Sequence, residues 1–228
     1  MSRSTITLYG LNVGGRNNNV AYGPGSESLT DRSRRGAEHF DAAYYKRYYH
    51  VADTAVVTPA MQRAEVAFVI AFCSHIGLEI KRFTDAGAGT GWWAKEFARR
   101  QPGCRHVETL DASEAACRIY GHRRVELQKL DGAQSDLVVC RDVLRYLGDT
   151  DAEKAIRRLA RKCRGVLYVH VITKEDEIDE DASDMTGFFR STAWYRRRLS
   201  AAGFRDCGMG LFVSGKLKSF APFAIEAR

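Results

Sequence analysis

Seven residues, Asp85-Ala86-Gly87-Ala88-Gly89-Thr90-Gly91, combine a carboxylate with three glycines at alternate positions. Glycine is required where the main chain takes positive φ or must touch a ligand, so this stretch is a bare, bent backbone against which something lies. Asp85 at its start suits a partner carrying a cationic amine better than one carrying phosphates. A second acid, Asp111, follows about twenty residues later, the offset at which a carboxylate meets ribose hydroxyls. A dinucleotide fingerprint spaces its glycines G-x-G-x-x-G, with the last one letting helix and strand pack closely. Here the third glycine comes one residue early and Trp92 takes that place, which argues against a nicotinamide dinucleotide.

Such a turn needs a strand before it and a helix after it. Arg82-Phe83-Thr84 reads as the strand and residues 92–100 as the helix. After Gln101-Pro102-Gly103, residues 105–111 form a second strand ending in Asp111; Ser113 then caps a helix that stops at Gly121. With its D-x-G-x-G-x-G form, the turn resembles motif I of the class I S-adenosylmethionine-dependent methyltransferases. Asp136-Leu137-Val138-Val139-Cys140 with Arg141-Asp142-Val143-Leu144-Arg145-Tyr146-Leu147 resembles the fourth motif of that family, D-L-V-x-x-x-x-V-L-x-x-L.

The resemblance covers about residue 38 to residue 228. It implies a seven-stranded, mainly parallel Rossmann-like α/β sheet with helices on both faces and a C-terminal antiparallel hairpin. It also implies S-adenosylmethionine as cofactor, with Asp85, Ala86, Gly87, Gly89 and Gly91 at its methionine end. Asp111 and Ala112 are then placed at the ribose, and Cys140 and Arg141 beside the methionine part. A third strand is expected around Val125-Glu126-Leu127, with Glu126 or Gln128 offering a polar group to the adenine amine. Because a sulfonium already activates the methyl group, the family needs no universal catalytic residue; His170, Asp142 or a tyrosine of the N-terminal helix are the candidates where a proton must be removed. His170 reads more readily as a packed, hydrogen-bonded core histidine, and Asp142 could instead cap a helix.

Residues 1–37 hold Gly14-Gly15, Asn17-Asn18-Asn19, Gly23-Pro24-Gly25 and few large apolar side chains, which reads as a mobile tail before one domain spanning 38–228. Residues 38–50 place Phe40, Tyr44 and Tyr48 on one helical face, with Tyr45 and Tyr49 beside them. That helix either docks on the sheet or forms an aromatic lid in which Tyr44, Tyr45 and Tyr49 cover the site. Thr58-Pro59 starts a helix with apolar Val66, Phe68, Val69, Ile70 and Phe72. Residues 165–171 read as a fifth strand, and Glu175 to Asp184 as a solvated acidic loop with no fixed metal-ligand spacing. Two last strands, about 204–214 and 220–227, form the expected hairpin.

The 228 residues suit one domain. Neither an apolar signal segment nor a membrane-length apolar run is present, so a cytoplasmic protein is expected. The six cysteines are scattered without a C-x-x-C pair and read as reduced thiols; no metal is expected. The net charge of +7 admits a nucleic-acid partner. Arg157, Arg158, Arg161, Lys162 and Arg164 nevertheless recur as on a solvated helix face, and an asparagine-proline-proline-aromatic motif is lacking. The expected acceptor is therefore a small molecule. An RNA methyltransferase and a non-catalytic protein retaining the fold are the alternatives, and the oligomeric state is not legible.

Overall fold

The computed structural model describes residues 36–45, 58–177 and 184–220. Seven strands are formed: β1 (Arg82–Ala86), β2 (His106–Asp111), β3 (Arg123–Arg124), β4 (Ser135–Arg141), β5 (Cys163–His170), β6 (Phe204–Asp206) and β7 (Leu211–Ser214). They lie in the order β3-β2-β1-β4-β5-β7-β6. The first five pair in parallel, and β7 is antiparallel to both of its neighbours, so β6 runs with the parallel set. The order reverses between β1 and β4. In open α/β sheets ligands gather at the carboxyl ends of the strands at such a reversal.

The helices are α1 (Ala42–Tyr45), α2 (Pro59–His75), α3 (Trp92–Arg100), α4 (Glu114–Tyr120), α5 (Asp149–Lys162) and α6 (Thr192–Ala201). Alternate residues of β4 serve opposite faces of the sheet, as the strand period requires. Leu137 and Val139 pack with Phe83, Val166 and Val213 beneath Val66, Val69 and Cys73 of α2 and Trp93 and Phe97 of α3. Val138 and Cys140 pack with Leu110, Leu167 and Phe212 against Ile156 and Leu159 of α5 and Tyr195 and Leu199 of α6. Both faces are thus covered by helices, and β4 reads as an unbroken apolar run because both its sides are buried. The caps expected at Thr58 and Ser113 hold, and Ser191 caps α6 in the same way. Thr58 Oγ1 accepts from the Met61 amide at 3.2 Å, Ser113 Oγ from Ala116 at 3.0 Å and Ser191 Oγ from Trp194 at 3.2 Å.

Several expected elements are placed differently. No single helix runs from residue 38: a 3-10 turn at Ala37–His39 ends at Phe40, and α1 starts afresh with Asp41 Oδ1 accepting from the Tyr44 amide at 2.8 Å. Tyr48 and Tyr49 lie outside the described residues, as does the tail to residue 35. The third strand is only Arg123–Arg124, and Leu127–Lys129 is a 3-10 turn whose Leu127 fills the core. The terminal hairpin is β6 with β7, both inside what reads as one strand, because Gly208 and Gly210 take positive φ and turn the chain. Residues 221–227 lie outside the description. Phe68 is exposed on α2, while Lys162 is buried and its ammonium meets Glu108 Oε2 at 2.5 Å. Asp136, the acid that opens the fourth motif, holds the Lys81 and Arg82 amides at 2.9 Å and the Arg164 side chain at 2.7 Å at the amino end of the sheet.

Candidate functional site

The β1–α3 turn is fixed through both backbone polar groups of one residue, Gly89. Gly87, Gly89 and Gly91 all have positive φ. A Cβ on Gly87 would fall within 2.1 Å of Val143, so only glycine admits the chain after β4. The Gly89 amide donates to Asp111 Oδ2 at 2.8 Å, and its carbonyl accepts from His122 Nε2 at 2.9 Å. A carbonyl only accepts, so Nε2 carries the proton, and Nδ1 then accepts from Thr109 Oγ1 at 2.9 Å. His122 follows α4 immediately after Gly121, and nothing in local sequence marks it as part of the turn.

Asp111 is 8% exposed, and its other oxygen accepts from the Ser113 amide at 2.8 Å. Burial pushes its pKa above the ordinary carboxylate value, against the pull of the Ser113, Gly89 and Ala112 amides. A carboxylate offers about four acceptor positions. Backbone amides take part of that capacity and leave room for a hydroxyl donor.

Asp85 is 2% exposed at the end of β1, and its Oδ2 has no hydrogen-bond partner. Burial, then the nearby Asp111, raises its pKa to about 7, opposed by the Ala94 amide in the first turn of α3 and by Arg141. A buried unpaired carboxylate oxygen is costly unless a ligand supplies a donor. Beside it stands Glu65 of α2, a residue with no signal in the sequence. Its Oε1 accepts from Trp93 Nε1 at 2.9 Å and from Arg141 Nε at 3.2 Å, and the Arg141 guanidinium lies 5.5 Å from the centre of the Trp92 ring.

Beyond β4 the rim is polar and tied together. Asp142 has φ 55, a strained value for a residue with a Cβ, and its amide donates to the His170 carbonyl at 2.6 Å. It caps no helix: only a 3-10 turn, Leu144–Tyr146, follows. Arg145 is 1% exposed, with Nε 2.8 Å from Asp142 Oδ1, off the line of a hydrogen bond. Its Nη2 donates to Tyr146 Oη at 2.6 Å, and Tyr146 donates to Asp184 Oδ2 at 3.1 Å. Asp184, expected in a solvated loop, is therefore buried and bonded. His39 Nε2 lies 3.6 Å from the same Asp184 oxygen.

The aromatic residues of the N-terminal segment sit across this rim. Tyr44 and Tyr146 share a hydroxyl contact at 3.2 Å, and the Phe40 carbonyl accepts from Ser113 Oγ at 2.5 Å. Tyr45 is buried, its ring edge against Gly89. Of the other expected residues, Cys140 turns its side chain into the core, so only its main chain reaches the rim. Burial and the charges of Arg141 and Arg145 lower the His170 pKa to about 3, so it is neutral and very weakly basic. Gln128 donates to Glu126 at 2.7 Å and keeps a buried, unpartnered Oε1. Ala86 ends β1, and Ala112 stands beside Asp111 on a cleft of about 440 Å³ shared with Val125 and Glu126. Among the described residues no group of acids, histidines and cysteines could hold a metal, and no helix is long and apolar enough to cross a membrane.

Residues 61–206 match a sequence model of the methyltransferase domain. None of the curated proteins compared matches. Magnesium protoporphyrin IX methyltransferase from Synechocystis PCC 6803, solved with bound S-adenosylhomocysteine, is 18% identical, covers 78% of this chain and 97% of its own, and superposes with a TM-score of 0.56. CalS10, an amino pentose methyltransferase from Micromonospora echinaspora solved with bound S-adenosylmethionine, is 20% identical over 67% of this chain and 90% of its own, with a TM-score of 0.54. These structures share the fold, and the sequence match spans more than half of the chain. With a glycine turn clamped at the switch point of a seven-stranded sheet, the chain belongs to the class I S-adenosylmethionine-dependent methyltransferase family.

Proposed function

We propose that this chain transfers a methyl group from S-adenosylmethionine to a small-molecule acceptor in the cytoplasm. The observation that carries the reading is the unpaired, buried Asp85 oxygen beside a turn whose second acid, Asp111, is held by backbone amides with room left for a hydroxyl donor. Neither acid forms an ion pair among the described residues, whereas Glu65 and Asp142 each have an arginine. An ammonium with two vicinal hydroxyls fits that arrangement, and a pyrophosphate does not.

When bound, S-adenosylmethionine supplies a methyl group made electrophilic by its sulfonium. Asp85 takes the ammonium, and the backbone of Ala86, Gly87, Gly89 and Gly91 gives the bare surface beneath. Asp111 takes the ribose hydroxyls, while Ala112 and Gln128 flank the adenine side. The main chain at Cys140 and Arg141 borders the methionine part. Tyr44 and Tyr45 exclude water from above, a role to which the sequence adds Tyr49. His170 is too weakly basic to remove a proton near neutrality. Asp142, whose pKa burial raises against the pull of Arg145 and Arg141, and a tyrosine of the N-terminal segment are the other candidates where an acceptor group must lose a proton.

A small acceptor is supported by the two structural relatives, whose names give a porphyrin and an amino pentose as substrates. Much of the positive charge is also engaged locally, as in Lys162 with Glu108 and Arg164 with Asp136. Calorimetric titration with S-adenosylhomocysteine, beside Asp111→Ala and an NADH control, tests the reading. Saturable binding is expected for the parent chain alone. A folded protein that fails to bind it, or that binds NADH instead, sinks the proposal.

A further inference from the structure

Gly89 is the middle glycine of the turn, and a residue without a Cβ does not fix its own conformation. Its φ of 55 is held by a contact on each of the two peptides it joins. The peptide before it is held through the Gly89 amide, which donates to Asp111 Oδ2 at 2.8 Å. The peptide after it is held through the Gly89 carbonyl, which accepts from His122 Nε2 at 2.9 Å. The Gly87 and Ala88 amides both donate to the Leu110 carbonyl at 2.8 Å, so three successive amides of the turn meet the end of β2.

His122 is itself built in. Gly121 ends α4 at φ 78, and β3 pairs Arg123 with Leu110, which returns the imidazole to the level of Thr109 on β2. His122 is 8% exposed, its Nδ1 accepts from Thr109 Oγ1 at 2.9 Å, and a Cβ on Gly91 would fall 3.1 Å from its Cε1. One ring therefore lies against two of the three glycines. The Thr109 hydroxyl favours the required tautomer, because an Nδ1 that accepts leaves the proton on Nε2, where the Gly89 carbonyl takes it. The direction of Asp111 Oδ2 depends on the Gly89 amide, and that amide on how the following peptide is turned. Resting on the cofactor assignment above, we infer that His122 is a positioning residue for ribose recognition. Acting through Gly89, it sets the direction in which Asp111 meets the ribose hydroxyls.

The test compares calorimetric affinities of the full chain for S-adenosylhomocysteine and for an analogue whose ribose carries hydrogen in place of both hydroxyls. The parent chain is expected to prefer the intact ligand by at least about tenfold, the scale of a hydrogen bond to a charged group. His122→Gln keeps an N–H near the Nε2 position and is expected to retain that preference. His122→Asn reaches Thr109 but not Gly89, and is expected to lower the preference at least about fivefold, however far the absolute affinities move. A preference that survives in His122→Asn, or that falls equally in both variants, overturns the inference, because packing alone would then account for the residue. Should His122→Asn not fold, Thr109→Val decides: with the tautomer freed the preference is expected to fall, and an unchanged preference overturns the inference. A parent chain that binds both ligands equally refutes the role of Asp111 at the ribose and the inference with it. One that binds neither refutes the cofactor assignment itself.

Discussion

At the scale of single residues, the site stores an unfavourable group that its ligand is built to relieve. The unfolded chain loses the Asp85 proton near its ordinary pKa of 3.8, while the folded chain keeps it to about 7. Between those values the folded state holds more protons, so stability falls as pH rises from about 4 to about 7 and stays low above it. Asp85→Asn removes this slope. The variant is expected to be more stable at pH 8 in chemical denaturation, by up to about 4 kcal/mol, and to bind S-adenosylhomocysteine more weakly. An unchanged pH profile would show that Asp85 is not the group responsible. Asp85, the glycines and Asp111 were legible because the turn confines them to a short, spaced run. Glu65, His122, Arg145 and Asp184 were not, because each is an ordinary residue whose meaning comes from a partner distant in sequence: Arg141, Gly89, the Thr186 carbonyl and Tyr146 in turn.

At the scale of elements, what holds the rim is a chain of hydrogen bonds between segments. Tyr146 takes the Arg145 guanidinium, meets Tyr44 and donates to Asp184, joining three stretches of chain at one hydroxyl. Removing that oxygen in Tyr146→Phe leaves a buried guanidinium and a buried carboxylate each short of a partner, at a cost of about 1–3 kcal/mol. Tyr44→Phe loses one contact and is expected to cost less than about 1 kcal/mol. Urea unfolding of the two variants checks the order; equal losses would contradict it. Helix α4 was readable to the residue, because Ser113 and Gly121 are strong local signals at its ends. The N-terminal helix was not: its tyrosine spacing continues past Phe40, but the backbone breaks there so that the Phe40 carbonyl can meet Ser113. The third strand failed for the opposite reason, since Leu127 is apolar for burial in a turn and not for pairing in a strand.

For the whole molecule, the alternation of strands and helices was visible in the residue pattern and the seven-stranded, mainly parallel fold came with the family resemblance, whereas the strand order is set by long-range pairing that no local pattern carries. The hairpin was misplaced by one strand, because glycines at 208 and 210 carry the turn inside a run that otherwise alternates. Ligand linkage acts on this single sheet as a unit. S-adenosylhomocysteine at about one hundred times its Kd adds about 2.7 kcal/mol. The melting temperature is then expected to rise by roughly 5–10 °C for a chain of this size. Scanning fluorimetry measures it, and no rise at saturation would mean that the ligand does not favour the folded state.

Ser113 belongs to two structures at once: its amide holds Asp111, the acid proposed for the ribose, and its hydroxyl ties down Phe40 in the segment that carries Tyr44 and Tyr45 across the rim. On the proposed assignment the donor side and the aromatic side share one joint, so an ordered reaction is expected, with the donor bound first and the spent donor released last; product-inhibition kinetics checks it, and random order would contradict the link.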